Sequence, residues 1–199
     1  MSRPHPRRPI LVLLGPCLLA MALLAGCASP KPVLFSLDAV PGPVVTAPRH
    51  VILVRQVSVA RYLDRSPIVR SSAGYRLQLY GNDWWGELPG PMVTRVLAAD
   101  LASRLPAGTV LPETIALTVT PDISVEVLIQ RFDENSSGTL VLSAAFSLLA
   151  SRGGPPPETF DTSVAPPSPD VIGQVAAMSE ALGRLADTIA LRIAALHRG

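Results

Sequence analysis

The stretch from Tyr62 to Pro106 decides the fold, and it reads YLDRSPIVRSSAGYRLQLYGNDWWGELPGPMVTRVLAADLASRLP. Two of its segments, 69–71 and 75–80, have the extended character of strands, and Ala73-Gly74 forms the turn between them. Apolar and polar residues alternate along the second segment, as in a strand with one buried face. The predicted buried face consists of Tyr75, Leu77 and Leu79.

A helix follows this pair of strands. Gly90-Pro91 opens it, with proline where its missing N–H costs nothing, and Pro106 ends it. The apolar residues of this helix recur at steps of three and four, so they predict one buried stripe. The stripe consists of Val93, Val96, Leu97, Leu101 and Leu105. Asp100 and Arg104 lie four residues apart, and we expect them to pair on the solvent-exposed side.

Both tryptophans, Trp84 and Trp85, lie between the strands and the helix. The surrounding glycine, asparagine and proline residues predict a loop, where binding residues concentrate. Consecutive side chains diverge by about 100° on a helix and point oppositely on a strand, so two adjacent rings do not easily share one pocket. We expect Trp85 to anchor the core under the helix and Trp84 to face a partner or lipid headgroups. The alternative, that the loop folds over both rings, stays open.

Two motifs in this stretch resemble those of a known family. Tyr62 to Arg70 reads YLDRSPIVR, and Trp85 to Pro89 reads WGELP ahead of Arg95-Val96-Leu97 in the helix. They resemble the motifs of PqiC-type lipoproteins, the auxiliary lipoproteins of bacterial ABC transport systems. The chain departs from the family pattern in an extra residue before Pro67 and in the inverted order Leu88-Pro89. Both departures fall at loop positions, which tolerate such changes.

The resemblance implies a function and its partners. It implies an outer-membrane lipoprotein subunit of an MCE-type (Pqi-type) ABC lipid transport system, which docks a periplasm-spanning MCE-domain protein while an inner-membrane ATPase supplies energy. Phe132-Asp133 matches a pair that the family shows near a turn. The candidate partner-binding residues are Tyr62, Asp64, Trp84 and Glu87. Asp64 is otherwise interpreted as a turn cap or a partner of Arg70. Assembly into a homo-oligomer is left open.

The first 26 residues have the layout of a secretory signal. Three arginines precede the apolar run Ile10–Ala25, which is shorter than the ~20 residues of a membrane-spanning helix and is interrupted by Pro16. The run ends in Leu24-Ala25-Gly26-Cys27, which matches the lipobox of bacterial lipoproteins. We therefore predict that Cys27 is acylated and becomes the mature N-terminus. The other interpretations are an unmodified Cys27 after a signal peptide, or lipidation of Cys17.

Acylation would divide the chain into a signal peptide, residues 1–26, a lipidated tether, 27–32, and a periplasmic domain, 33–199. Several acyl chains on one cysteine give stable membrane attachment. Because Ala28-Ser29 rather than an aspartate follows the cysteine, the outer membrane is the predicted location.

Removal of the signal changes the composition. Three of the 17 basic residues leave with residues 1–26 and none of the 15 acidic ones does, so 14 remain against 15 and the net charge becomes −1. No basic cluster is left, which argues against nucleic acid as a partner. With Cys17 removed and Cys27 acylated, we expect no disulfide and no cysteine metal site. No metal or other cofactor is expected.

The rest of the chain predicts further strands and a second helix. The additional strand-like segments are 33–37, 50–59, 114–119, 123–132, 139–150 and 158–164. Segments 123–132 and 139–150 form a hairpin around a polar turn. Ser168 is the predicted N-cap of the last helix, whose apolar stripe from Val171 to Leu196 is interpreted as packing on its own sheet rather than on a membrane or in a coiled coil. These elements predict a single-domain α+β fold, with a mixed, mostly antiparallel sheet and two main helices packed on one side.

No pattern in the sequence indicates an enzyme. Nucleophile-elbow, zinc-protease and phosphate-loop motifs are missing, and His5, His50 and His197 follow no catalytic pattern. No spacing argues that Asp64, Asp83 and Glu87 converge as carboxylates. Two functions from other classes remain: the lipid transport subunit described above, and a structural or assembly lipoprotein that stabilises an envelope complex without handling lipid. The long apolar strands do not distinguish them, because the core requires such strands in either case.

Overall fold

The fold consists of nine strands and two α-helices within the part of the chain that the structure, a computed structural model, describes: residues 30–114, 116, 118–150 and 153–196. From Pro32 onward these residues form one compact unit. The predicted signal peptide and Cys27 lie outside the described residues. The elements are β1 (Val33–Phe35), β2 (Val51–Val54), β3 (Ser58–Val59), β4 (Pro67–Ser71), β5 (Gln78–Trp85), α1 (Pro89–Arg104), β6 (Thr109–Pro112), β7 (Ile123–Glu134), β8 (Leu140–Ala150), β9 (Glu158–Val164) and α2 (Val171–Ala195).

The sheet is organised around β7, a strand of 12 residues. On one edge β7 pairs with antiparallel β8, and β9 follows β8. On the other edge β2, β3 and β4 pair in turn with successive parts of β7, all of them parallel. β6 extends the sheet beyond β2, and β5 and then β1 extend it beyond β4.

The predicted α+β class with a mixed sheet is confirmed, but the prediction of a mostly antiparallel sheet is wrong. Among the described strands, five of the eight pairings are parallel. The physical reason is that α1 carries the chain across the sheet between β5 and β6, so that β6 and β7 return parallel to β2, and a crossover connection joins parallel strands.

Both helices pack on the sheet through the stripes that the sequence predicts. α1 contacts β2, β3 and β6, and α2 contacts β8 and β9. All five stripe residues of α1 are buried, and the stripe of α2 is buried from Val175 to Ile193. The predicted cap of α2 is wrong, because Asp170 is the N-cap and accepts a hydrogen bond from the Gly173 N–H at 2.9 Å. Ser168 instead donates to the Asp170 carboxylate, which together with that N–H lowers the pKa of Asp170.

The face of β5 that was expected to be buried is exposed. Tyr75, Leu77 and Leu79 all face solvent, and β5 begins only at Gln78 because a 3-10 turn occupies Ala73–Tyr75. The register is irregular here, because five steps on β5 oppose two on β4 between the pairs Val69–Leu79 and Pro67–Trp84. The expected burial is missing because the helices pack on other strands, α1 on β2, β3 and β6 and α2 on β8 and β9, so both faces of residues 74–79 are exposed.

Three further features of the strands differ from the prediction. The segment 50–59 splits into β2 and β3, and the pairing of β6 with β2 was not anticipated. No strand covers the described residues of 114–119. The hairpin β7–β8 and the edge strand β9 are confirmed.

Arg104 and Asp100 form an ion pair in the interior, so their predicted place on the solvent-exposed side is wrong. Arg104 is 1% exposed and Asp100 is fully buried. The guanidinium donates to the carbonyls of Val40 and Gly183, each at 3.0 Å, and pairs with Asp187 on α2. The Asp100 carboxylate accepts the Val40 N–H at 2.8 Å. This buried ion-pair cluster of Arg104, Asp100 and Asp187 therefore joins α1 and α2 to the proline-rich segment 38–48 that crosses them.

Candidate functional site

An open cleft of about 490 Å³ separates the β2–β3 connection from the start of α1. One wall is the extended segment 56–59. The other wall carries Asp64, Leu88, Gly90 and Pro91. The cleft therefore brings one predicted partner-binding residue, Asp64, beside the backbone of a strand.

The strand wall of the cleft is fixed by three consecutive N–H groups, at residues 55–57, that donate to three different parts of the domain. The Arg55 N–H donates to a carbonyl of β7 at 2.9 Å. The Gln56 N–H donates to the Glu113 carboxylate at 2.9 Å, and the Val57 N–H donates to the Thr94 hydroxyl on α1 at 2.8 Å. Because these donors are satisfied, the break between β2 and β3 is a defined conformation rather than a frayed end.

The width of the cleft is set by Thr94 and Gly90 at the start of α1. The buried Thr94 hydroxyl accepts from Val57 and donates to the Gly90 carbonyl at 2.8 Å, which ties the first turn of the helix to the strand. A Cβ at position 90 would lie 3.1 Å from the Val57 carbonyl oxygen. Glycine there permits this close approach of helix and strand.

Asp64 is exposed at the cleft, and its interpretation as a partner of Arg70 is wrong. Arg70 pairs with Glu134 at 3.4 Å, and its guanidinium lies over the ring of Tyr80, 5.6 Å from the centroid. Asp64 therefore presents its carboxylate at the surface beside Leu88.

Glu87 lies just before α1 and forms an ion pair with Arg95 of that helix. Arg95 of α1 donates to Glu87 and also to the Ser36 hydroxyl at 3.1 Å. The contacts join the residues after β5, the helix and the segment after β1. Both charged side chains are solvent-exposed, so the pair contributes only about 0–1 kcal/mol.

Tyr62 is half-buried, and its hydroxyl points into the interior of the domain. It donates to the Asp133 carboxylate at 2.8 Å, which also accepts from Arg131 at 2.9 Å. Burial and the neighbouring carboxylate raise the pKa of Tyr62 to about 12. Asp133 is itself fully buried, and Phe132 before it lies in the core. The matching Phe132-Asp133 pair thus has a structural explanation: one residue packs and the other holds Tyr62.

The tryptophans are the last two residues of β5, so their predicted placement in a loop is wrong. Their orientations are as predicted, because consecutive strand residues face opposite sides: Trp85 is 7% exposed in the core and Trp84 is 37% exposed. Trp84 pairs in register with Leu34 of β1, which is also exposed. Trp84 and Leu34 therefore form an apolar pair on the outer face of the sheet.

The predicted partner-binding residues are thus divided among separate places. Asp64 lines the cleft, Glu87 lies beside Arg95, Trp84 is on the outer face and Tyr62 points inward. Leu88 also lines the cleft but is not among the predicted site residues; it is 57% exposed and is the N-cap residue of α1. A signal was present, since an apolar residue stands where a polar cap is usual.

Neither a metal centre nor a membrane span is found in the described ranges. Over these residues, no three His, Cys, Asp or Glu side chains are placed to hold a metal ion. No helix there has the length and apolar character needed to cross a bilayer.

The sequence of residues 35–190 matches a family described as the ABC-type transport auxiliary lipoprotein component. The chain belongs to this family. The match covers β5, the cleft and most of α2, so the described domain is that of a transport auxiliary lipoprotein. The family is one of transport components and not of enzymes.

Solved structures have the same fold as this auxiliary lipoprotein. A crystal structure of an uncharacterised protein aligns with a TM-score of 0.69 at 17% identity, covering 82% of this chain and 99% of that one. Protein XCC0632 from Xanthomonas campestris aligns with a TM-score of 0.61 at 18% identity, covering 79% and 92%. A PelC dodecamer from Paraburkholderia phytofirmans aligns with a TM-score of 0.45 at 12% identity, covering 78% and 96%. A search of curated proteins found no match.

Proposed function

We propose that this auxiliary lipoprotein is anchored in the outer membrane through acylated Cys27 and serves an MCE-type ABC lipid transport system. The family match over residues 35–190 carries the proposal, because it supports a role in ABC transport. The lipobox ending at Cys27 supports the anchor, and Ala28-Ser29 after it supports the outer membrane. The domain docks the periplasmic MCE component and supports transfer of lipid across the envelope.

The cleft beside α1 is the docking position in this proposal. Its strand wall is an extended backbone whose N–H groups at Gln56 and Val57 are already bonded within the domain, so side-chain contacts rather than strand addition hold the partner. Leu88 and Asp64 on the opposite wall offer an apolar contact and a negative charge. A segment of the MCE component with one apolar and one basic side chain has the complementary chemistry.

Co-purification of the MCE-domain protein with the full-length lipoprotein tests this function. The decisive variant is Leu88→Glu, which places a charge in the cleft without disturbing the core. The matched control is Leu191→Glu on α2, since Leu191 is 59% exposed and Leu88 is 57% exposed. The MCE-domain protein is expected with the wild-type and the control, and at least ten-fold less of it with Leu88→Glu, a loss of about 1.4 kcal/mol in binding.

Two other outcomes would contradict the proposal. Recovery of other envelope proteins without any MCE-domain protein favours the structural or assembly role. Equal recovery with Leu88→Glu and the wild-type would place the docking surface elsewhere.

The anchor is tested separately by acyl labelling. Cys27→Ala is expected to lose palmitate label and to leave the membrane fraction or retain its signal. Unchanged labelling of that variant would contradict acylation at Cys27.

A further inference from the structure

The turn between β4 and β5 carries an exposed apolar tip. Residues 74–79 are all exposed, and Tyr75, Leu77 and Leu79 alternate with polar neighbours. Tyr75 is fully exposed. Soluble proteins seldom expose several large apolar side chains in one short segment without a partner for them.

The backbone at this tip is strained. Tyr75 has φ of 62°, and it is the one non-glycine residue with positive φ among the described residues. An aromatic residue in the left-handed region costs free energy, and such outliers are concentrated at functional sites. The strained turn projects the aromatic ring away from the domain.

The strand order shows the side of the domain on which the N-terminal segment leaves it. β1 runs parallel to β5, with Val33 beside Asp83 and Phe35 beside Trp85. The chain that precedes Val33 therefore leaves toward the beginning of β5. That is the same end of β5 at which Tyr75 and Leu77 project.

The segment from Cys27 to Val33 and the part of β5 that precedes Asp83 have comparable lengths. The six steps from Cys27 to Val33 span at most about 20 Å. The five steps of β5 from Asp83 back to Gln78 span about 17 Å, and Tyr75 lies a few residues beyond. A lipid on Cys27 therefore holds this end of the domain within reach of the bilayer surface.

We propose that the tip formed by residues 75–79 inserts into the headgroup region of the leaflet that holds the acyl chains of Cys27. This proposal rests on the acylation of Cys27. Tyrosine is suited to the boundary because its ring is apolar and its hydroxyl is polar. Exposed Arg76, between Tyr75 and Leu77, supplies a positive charge for lipid phosphates. The contact orients the domain, so that the opposite end of β5, with Trp84 and the start of α1, points away from the membrane.

Depth-dependent fluorescence quenching on the full-length, acylated protein tests the proposal. The variants Tyr75→Cys and Leu77→Cys each introduce a thiol for an environment-sensitive label. With Cys17 removed and the Cys27 sulfur bonded to lipid, the introduced thiol is the free one. Leu191→Cys is the control. The proteins are reconstituted into vesicles of phosphatidylethanolamine and phosphatidylglycerol with brominated acyl chains.

The labels at positions 75 and 77 are expected to shift to shorter emission wavelength and to be quenched by brominated lipid. The label at position 191 is expected to show neither effect. If the protein floats with the vesicles but all three labels remain in water, the tip proposal is overturned while the anchor stands. Failure to float overturns both. Shielding of position 75 by a soluble envelope protein, and not by vesicles, overturns the membrane contact.

Discussion

The Arg104 guanidinium on α1 pairs with the Asp187 carboxylate on α2 and thereby joins the two helices beneath the segment 38–48. The same guanidinium donates to the Val40 carbonyl of that segment. A side chain at Gly42 would collide with the Arg104 guanidinium, which these bonds hold in place. One buried cation therefore fixes three parts of the domain relative to one another.

Removal of Arg104 is expected to destabilise the domain strongly. Arg104→Ala leaves the buried Asp100 carboxylate without its cation, which typically costs about 3–5 kcal/mol of unfolding free energy. The matched control is Arg184→Ala, because Arg184 pairs with Glu180 on the surface and its loss costs about 1 kcal/mol or less. Urea unfolding measures both values. Equal effects of the two substitutions would show that the buried ion-pair cluster does not stabilise the fold.

The contribution of Asp100 to stability is expected to fall as pH rises through its titration range. Burial raises the pKa of Asp100 from 3.8 to about 6, although the Val40 N–H and Arg104 oppose the shift. Because the folded state binds this proton more tightly than the unfolded state, Asp100 favours folding most below pH 4, and this contribution is lost as pH rises to about 6.

The variant Asp100→Asn isolates that contribution. The difference in unfolding free energy, variant minus wild-type, is expected to increase with pH across this range, by about 2–3 kcal/mol in total. Unfolding titrations at a series of pH values measure it. A difference that is independent of pH would contradict the raised pKa.

The buried stripes of both helices and the β7–β8 hairpin could be predicted because they depend on local periodicity. The alternation of Tyr75, Leu77 and Leu79 is just as regular, yet it predicted a buried face where both faces are exposed. Burial of a strand face depends on which strands the helices cover, and both helices pack on strands other than β5, which local alternation does not reveal. The Asp100–Arg104 pair was placed correctly along the helix but in the wrong environment, since the segment that covers it lies some 60 residues earlier in the chain.

The two tryptophans are expected to differ in their effects on stability. Trp85→Ala removes a large side chain from the core and typically costs about 3–5 kcal/mol. Trp84→Ala changes an exposed side chain outside the cleft, so it is expected to leave the melting temperature nearly unchanged. Thermal unfolding of both variants measures the difference. A comparable loss of stability in the two variants would mean that both rings are core residues.

The hydroxyl of Tyr62 is expected to contribute to stability through Asp133. Tyr62→Phe keeps the ring but removes one donor to a fully buried carboxylate, which costs about 1–3 kcal/mol. Tyr75→Phe is the control, because the hydroxyl of Tyr75 is at the exposed tip. Denaturant unfolding of both variants provides the comparison, and an unaffected Tyr62→Phe would show that Arg131 alone satisfies Asp133.

The candidate site was only partly predictable. Asp64 was found through a motif, and Trp84 through the expected divergence of adjacent side chains. Leu88 was missed because its role depends on the wall formed by residues 56–59, which approach it only in the folded domain. The sequence does not show that the Tyr62 hydroxyl points inward, because its partner Asp133 is 71 residues away in the sequence.

Site-specific photo-crosslinking from position 88 in the full-length protein, within intact cells, tests the central claim most directly. The photoreactive residue replaces Leu88 in the cleft, and the control carries it at Leu191 on α2. Docking of a transport component in the cleft predicts a crosslinked MCE-domain protein from position 88 and none from position 191. Absence of that protein from the position 88 adducts, in cells where it is present and the lipoprotein is acylated, would contradict the proposed docking.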